Sequence, residues 1–305
     1  MSSTSRTSVV LDDLLRLKAD ARGFSFLPSQ PVGSLLSGRH TSRLRGRGLA
    51  FEELRHYHPG DDIRTIDWRA TARLRSPHVR VFAEERERPI LLLVDQRSPM
   101  FFGSRRAMKS VAAAELAALA AWRVLDVGDR VGGLVFNDDE IVNIRPNRGP
   151  TQALRLFHEI VRMNQMLSER RSVSEKISLN GVLEKTLSLA KHDHLIILIS
   201  DLDGADERTS DLVTRMNVHN DVMVVAVYDP LGIRMKTSPG MRASDRGKDW
   251  QIPSGASFEN AFEKAFQEVL ERWRDLFKGL RIPLFPLSTD SPVIDQIHEL
   301  LGQNE

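Results

Sequence analysis

Apolar positions in this chain gather into short unbroken runs separated by longer stretches with helical spacing. Ile90–Val94 and Leu195–Ile199 are strand-sized and bounded by charge, and the strands expected are Ile90–Asp95, His194–Ser200 and Asp221–Tyr228. Such continuous runs predict strands buried on both faces. Between and after them the pattern predicts helices over Arg105–Asp126, Thr151 to Leu167, Leu179–Lys191, Arg208–His219, Phe258–Leu280 and Val293–Leu301. Further strands are expected at Arg130–Phe136, Glu140–Arg145 and Ile282–Leu287. Strands alternating with helices indicate an α/β fold with a mostly parallel sheet and helices on both faces.

The first 88 residues read differently. Leu11, Leu14, Leu15 and Leu17 predict a short amphipathic helix around 10–20, and Gly and Pro interrupt residues 21–40. From 41 to 88 the pattern predicts short strands and turns, with His78–Phe82 alternating. The expected organisation is an N-terminal helix and tail (1–22), a small β-rich polar subdomain (23–88) and an α/β domain (89–305).

In open parallel sheets ligands bind beyond the carboxyl ends of the strands. Three of those ends carry carboxylates here: Asp95, Asp201 and Asp229. Composition narrows the chemistry. With 43 Lys and Arg against 41 Asp and Glu the net charge is +2, too small for a strong general attraction to nucleic acid. There is no Cys, which excludes disulfides, thiol catalysis and cysteine-ligated zinc. No apolar run approaches the roughly 20 residues of a membrane span, and no signal peptide is evident, so a cytoplasmic location is expected.

The block from Phe51 to Arg69 is unusually dense in hydrogen-bonding side chains. Asp62 and Asp67 beside Arg64 and Arg69 suggest a satisfied polar network with Trp68 as its apolar anchor. His56 and His58 fall at strand spacing, but Pro59-Gly60 forces a turn, so turn-stabilising hydrogen bonds accepted by Asp61 are a better reading than metal ligation. Arg39, Arg43, Arg45 and Arg47 either grip phosphate or RNA or, more plainly, pair with the later acids; no nucleic acid is expected as a partner.

Ser37-Gly38-Arg39-His40, Arg45-Gly46-Arg47-Gly48 and Tyr57-His58-Pro59-Gly60-Asp61-Asp62-Ile63-Arg64-Thr65-Ile66-Asp67-Trp68-Arg69 resemble the bacterial family called domain of unknown function 58. The strand-Asp and strand-Ser-Asp patterns at Asp95 and Ser200-Asp201 resemble a von Willebrand factor A domain with its metal-ion-dependent adhesion site. The resemblance implies a Rossmann-like von Willebrand factor A fold and an assembly or chaperone-like role beside a MoxR-type AAA+ ATPase and other von Willebrand factor A proteins. It implies no enzymatic activity. Its family motif covers Arg45, Tyr57, Gly60, Asp61, Asp62, Arg64, Asp67, Trp68 and Arg69.

The adhesion-site pattern is incomplete. Arg97 and Pro99 stand at its two serine positions, Ser98 is out of register, and the second loop near Ser178–Gly181 lacks a Thr. Asp95 and Asp201 remain as possible ligands, sufficient at most for weak magnesium binding. Arg97 is expected to replace the metal's charge by pairing with Asp95 or Asp201. Capping of the following helices is the alternative role for both aspartates. The expected function is a non-enzymatic adaptor whose partner face comprises Asp95, Arg97, Ser98 and Asp201. Its rivals are a metal-dependent hydrolase using Asp95, Asp201 and Asp229, and an RNA- or anion-binding module using Arg39–Arg47.

Overall fold

The computed structural model describes residues 7–22, 24, 49–84, 89–169, 177–232, 235–245, 248–279 and 282–301. The elements, in chain order, begin with α1 (Leu11–Arg16), β1 (Leu49–His56), α2 (Trp68–Leu74) and β2 (His78–Glu84). Then come β3 (Ile90–Asp95), α3 (Lys109–Asp126), β4 (Val131–Phe136), β5 (Ile141–Asn147), α4 (Pro150–Glu169) and α5 (Leu179–Leu189). The last are β6 (Leu195–Ser200), α6 (Glu207–Asn217), β7 (Asp221–Tyr228), β8 (Arg242–Asp245), β9 (Lys248–Gln251), α7 (Ala256–Gly279), β10 (Leu284–Ser288) and α8 (Val293–Leu301). The chain divides into two compact units, Met1–Leu27 with Arg88–Glu305 and, separately, Pro28–Glu87.

The large unit is built on a six-stranded sheet in the order β10-β7-β6-β3-β4-β5, parallel throughout except for β5. After β3 the chain moves to β4 and β5, then crosses back to lay β6 on the other side of β3. That reversal opens a crevice between the carboxyl ends of β3 and β6, the place where parallel sheets hold ligands.

Side chains of β3 alternate between two cores. Ile90, Leu92 and Val94 pack with α3, α4 and α8 on one face; Leu91 and Leu93 pack with α5, α6 and the end of α7 on the other. Each fully buried Leu or Ile contributes about 1.5–3 kcal/mol of transfer free energy, which is why the apolar run is continuous. α3 is buried almost all round, and its alanines allow it to lie close to the sheet while α1, α4 and α8 cover it.

The N-terminal segment, expected as a separate helix and tail, belongs to this unit. Val9, Leu14, Ala21 and Phe24 are buried in its first core. The Val9 amide donates to Asn164 Oδ1 at 2.9 Å, and Asn164 Nδ2 donates to Gln96 Oε1 at 2.9 Å. Trp122 Nε1 donates to the Leu14 carbonyl at 2.9 Å.

In the small unit β1 and β2 form an antiparallel pair with a bulge between Phe51 and Glu53. The expectation of strands and turns alone for 41–88 is corrected by α2. Asp67 caps that helix by accepting from the Arg69 and Ala70 amides, and seven residues are too few to display a helical period. The β8–β9 hairpin was likewise absent from the sequence reading; its four-residue strands carry no apolar alternation.

Gly132 and Gly133 let β4 sit between its neighbours. A Cβ on Gly133 would lie 2.2 Å from the Leu92 carbonyl oxygen. Gly133→Ala is expected to force β3 and β4 apart and lower stability by about 1–3 kcal/mol or more, measured as a drop in urea midpoint.

Candidate functional site

The carboxyl rim of the sheet holds four acids, Asp95, Asp201, Asp229 and Asp138, each with its own donors. At the end of β3, Asp95 is fully buried. Its Oδ1 accepts the Arg97 amide at 2.9 Å and Nε at 3.1 Å; its Oδ2 accepts Arg97 Nη2 at 2.7 Å and the Ser200 hydroxyl at 2.7 Å. Arg97 is 6% exposed, lies 5.7 Å over the Phe136 ring and donates from Nη2 to the Asp203 carbonyl at 3.1 Å. Burial disfavours its charge, but Asp95, with Asp201 and Asp203 beyond, more than offsets this and holds its pKa above the ordinary arginine value.

Asp201 is also buried, and its Oδ2 accepts from Lys109 Nζ at 2.5 Å while Oδ1 accepts the Asp203 amide. Lys109 opens α3 and stands 6.0 Å over the Phe102 ring. Asp229, at the end of β7, accepts from the Ser104 amide and hydroxyl, the Leu231 amide and the Thr289 hydroxyl. Burial pushes Asp229 up, and these four donors outweigh it, holding the carboxyl below its usual range. Ser98 turns away from this crevice: its amide and hydroxyl both donate to the buried Asp138, the hydroxyl at 2.6 Å.

The expected Arg97–Asp95 pair is thus present, whereas Asp201 takes a different cation. Neither aspartate caps an α-helix, because both spend their acceptor capacity on the turns that follow and on side-chain donors. Asp95, Arg97 and Asp201, expected to face a partner, lie inside the rim, where they can shape the loops but present little surface. What the rim exposes is Phe102, Ser104, Arg105 and Asp203. The loop carrying Phe102 is closed by the Lys109 amide donating to the Phe102 carbonyl at 2.7 Å.

A divalent cation does not fit between Asp95 and Asp201. The Arg97 guanidinium and the Ser200 hydroxyl already hold Asp95, and Lys109 holds Asp201. Among the described residues no group of three or more His, Asp or Glu side chains is placed to bind a metal. The three rim carboxylates of the hydrolase reading are each engaged with their own donors.

Lys109, Ser104, Asp138 and Thr289 escaped the sequence reading. Only Lys109 left a signal there: a cation in the first turn of a helix opposes its dipole and so calls for an anion nearby.

In the small unit Arg55 grips Asp61 through two hydrogen bonds of 2.8 Å, and the His58 amide joins them. The Arg55 guanidinium, then the His58 amide, bring Asp61 down to about 2. Arg80 holds Asp67, which lies at about 2 for the same reason, helped by the Ala70 and Arg69 amides. Gly60, at φ +108°, makes the turn. The turn-stabilising hydrogen bond to Asp61 is present, and the His56 ring lies 4.3 Å from the His78 ring, tilted by 38°.

Two expectations are corrected. Asp62 and Asp67 accept from the backbone amides of Arg64 and Arg69, not from their guanidinium groups, because each acid caps the short helix that follows it. Trp68 is no buried anchor: it is 67% exposed. Tyr57 contributes its amide to the Pro77 carbonyl. Arg45 and the Arg39–Arg47 segment lie outside the described residues.

The chain belongs to the family described as protein of unknown function DUF58, whose profile matches residues 53–270. It is similar to an uncharacterized protein of Mycobacterium bovis, at 26% identity over 277 residues, covering 90% of this chain and 86% of that protein. Uncharacterized proteins of two Mycobacterium tuberculosis strains match at the same identity and coverage. Among the described residues no helix is long and apolar enough to cross a membrane.

Breaking the buried pair from one side should cost more than removing it. Arg97→Met leaves a buried carboxylate unpaired and is expected to cost about 3–5 kcal/mol, with Asp95→Asn in the same chain recovering part of that loss in a double-mutant cycle. Magnesium at about 10 mM should leave the melting temperature unchanged; a site saturated 100-fold would add about 2.7 kcal/mol and raise it by several degrees.

Proposed function

We propose that this protein is a non-enzymatic interaction module with a von Willebrand factor A-like fold. It serves as an adaptor for a MoxR-type AAA+ ATPase during assembly or remodelling of another protein complex. The observation that carries the reading is the internal neutralisation of the rim: Arg97 takes Asp95, and Lys109 takes Asp201. Carboxylates saturated in this way are poor bases, nucleophiles and metal ligands, whereas the loops they fasten are preorganised for contact.

Phe102, 46% exposed beside Lys109, would be the apolar centre of that contact, with Arg105 and Asp203 around it. The same strand order that places ligands at the crevice supports the choice of face. The ATPase as partner rests on the resemblance of the Tyr57–Arg69 block, and other von Willebrand factor A proteins are further partners on the same ground.

Co-elution of the purified full chain with the MoxR-type ATPase of the same organism tests this. A stable complex is expected, weakened about tenfold or more by Phe102→Asp, while the folded content of the variant is unchanged by circular dichroism. Absence of a complex, or indifference to Phe102→Asp, would count against the rim as the contact face.

A further inference from the structure

Trp68 begins α2 and is 67% exposed, and Ile63, in the short helix before it, is 63% exposed. Among the described residues of this unit the buried apolar positions are Ala70 and Val79, at 5% and 2%, whereas Trp68 and Ile63 are exposed. Around Trp68 the surface is basic. Among the described residues the guanidinium groups of Arg64, Arg69, Arg73 and Arg75 make no hydrogen bond or ion pair, and all four residues are exposed.

The acids nearby are already satisfied. Asp67 is closed by two helix amides and Arg80, and Asp62 by the Arg64 amide. Arg69 and Arg73 stand one turn apart on a helix that has no acid, so they repel each other. Arg69 also lies in the first turn, where the helix dipole disfavours a cation. The described part of this unit holds six Arg and six Asp or Glu, but four of those Arg, on or next to α2, have no carboxylate partner there and lie close in sequence to an exposed aromatic ring. Trp68, Arg64, Thr65, Ile66, Arg69 and Arg80, with Asp67 already held by Arg80, line a cleft of about 420 Å³ there, large enough for one side chain laid on the indole.

We propose that this face docks an acidic segment of a partner protein. Asp or Glu side chains of that segment pair with Arg69 and Arg73, whose planar forks match a carboxylate with two parallel hydrogen bonds. An apolar side chain of the same segment packs on Trp68. Charge complementarity selects the carboxylate-rich partner, and the cleft beside Trp68 supplies an apolar anchor of the type that dominates protein interfaces.

A nucleic acid strand fits less well. It calls for stacking platforms in series and an uninterrupted positive track. Among the described residues of this unit Trp68 is the one exposed ring of Trp, Tyr or Phe, and Asp67 lines its cleft. The proposal is independent of the rim reading and requires neither its contact face nor the ATPase.

Fluorescence anisotropy of the full chain with a labelled peptide of Glu and Asp interrupted by Leu tests it. The expected result is saturable binding that weakens several-fold between about 50 and 300 mM salt. Trp68→Ala, at an exposed position, and the Arg69→Glu/Arg73→Glu double variant should each weaken binding about tenfold or more. The Trp68→Ala arm stands alone if charge reversal disturbs α2, with circular dichroism reporting the fold. A matched peptide with Lys for the acids should not bind.

Three results would overturn the inference: no binding of the acidic peptide, equal binding by Trp68→Ala, or tighter Trp68-dependent binding of a uridine oligonucleotide. A Trp68→Ala change in sedimentation with no change in peptide binding would instead assign the face to a second copy of this chain.

Discussion

The rim is organised by one buried ion pair at the point where the sheet changes direction. β3 and β6 are parallel neighbours, but the chain leaves β3 toward β4 and β6 toward β7, on opposite sides, so their carboxyl ends leave a gap that something must fill. Asp95 fills it with negative charge in a place with no access to water. Taking an ion out of water costs several kcal/mol, and only a partner of good geometry offsets it. Arg97 provides that geometry two residues later, and its remaining donor reaches the Asp203 carbonyl across the crevice. The Ser200 hydroxyl completes the set from β6. The turn after β3, the end of β6 and the loop at Asp203 are therefore fixed together.

The same logic recurs along the rim with different donors. Lys109 serves Asp201, Ser104 and Thr289 serve Asp229, and Ser98 serves Asp138. Each acid draws a donor from a different element, so the rim loops are tied to α3, β10 and the β4–β5 turn at once. Exposed groups such as Phe102 and Arg105 sit on loops whose flanking residues have little freedom left. A surface of that kind suits recognition, because the ordering entropy has been spent in folding.

Much of the fold was legible because burial on two faces leaves a plain mark. A run such as Ile90–Val94 must be apolar at every position when both neighbours are cores, and Asp95 stands out at its end. Arg97 was legible as the partner of Asp95 because two residues of loop cannot carry a cation far from the acid before it. Lys109 was not legible as the partner of Asp201, since the contact spans 92 residues and depends on where α3 begins. Short elements fared worst: α2 and the β8–β9 hairpin are too brief for a period to show.

By itself, then, the sequence determined the alternation of strand and helix, the three carboxylates at the strand ends and the cation beside Asp95. Those are local matters of apolar run length, capping chemistry and reach. Tertiary structure alone decided which acid met which donor and which side chains of the Tyr57–Arg69 block stayed in solvent. Arg55 rather than Arg64 holds Asp61, and Trp68 faces outward, because hydrogen bonds across a hairpin and exposure on a helix depend on register and packing. A list of charged residues is compatible with many pairings; only the folded chain, by placing donors within about 3 Å of acceptors, selects one.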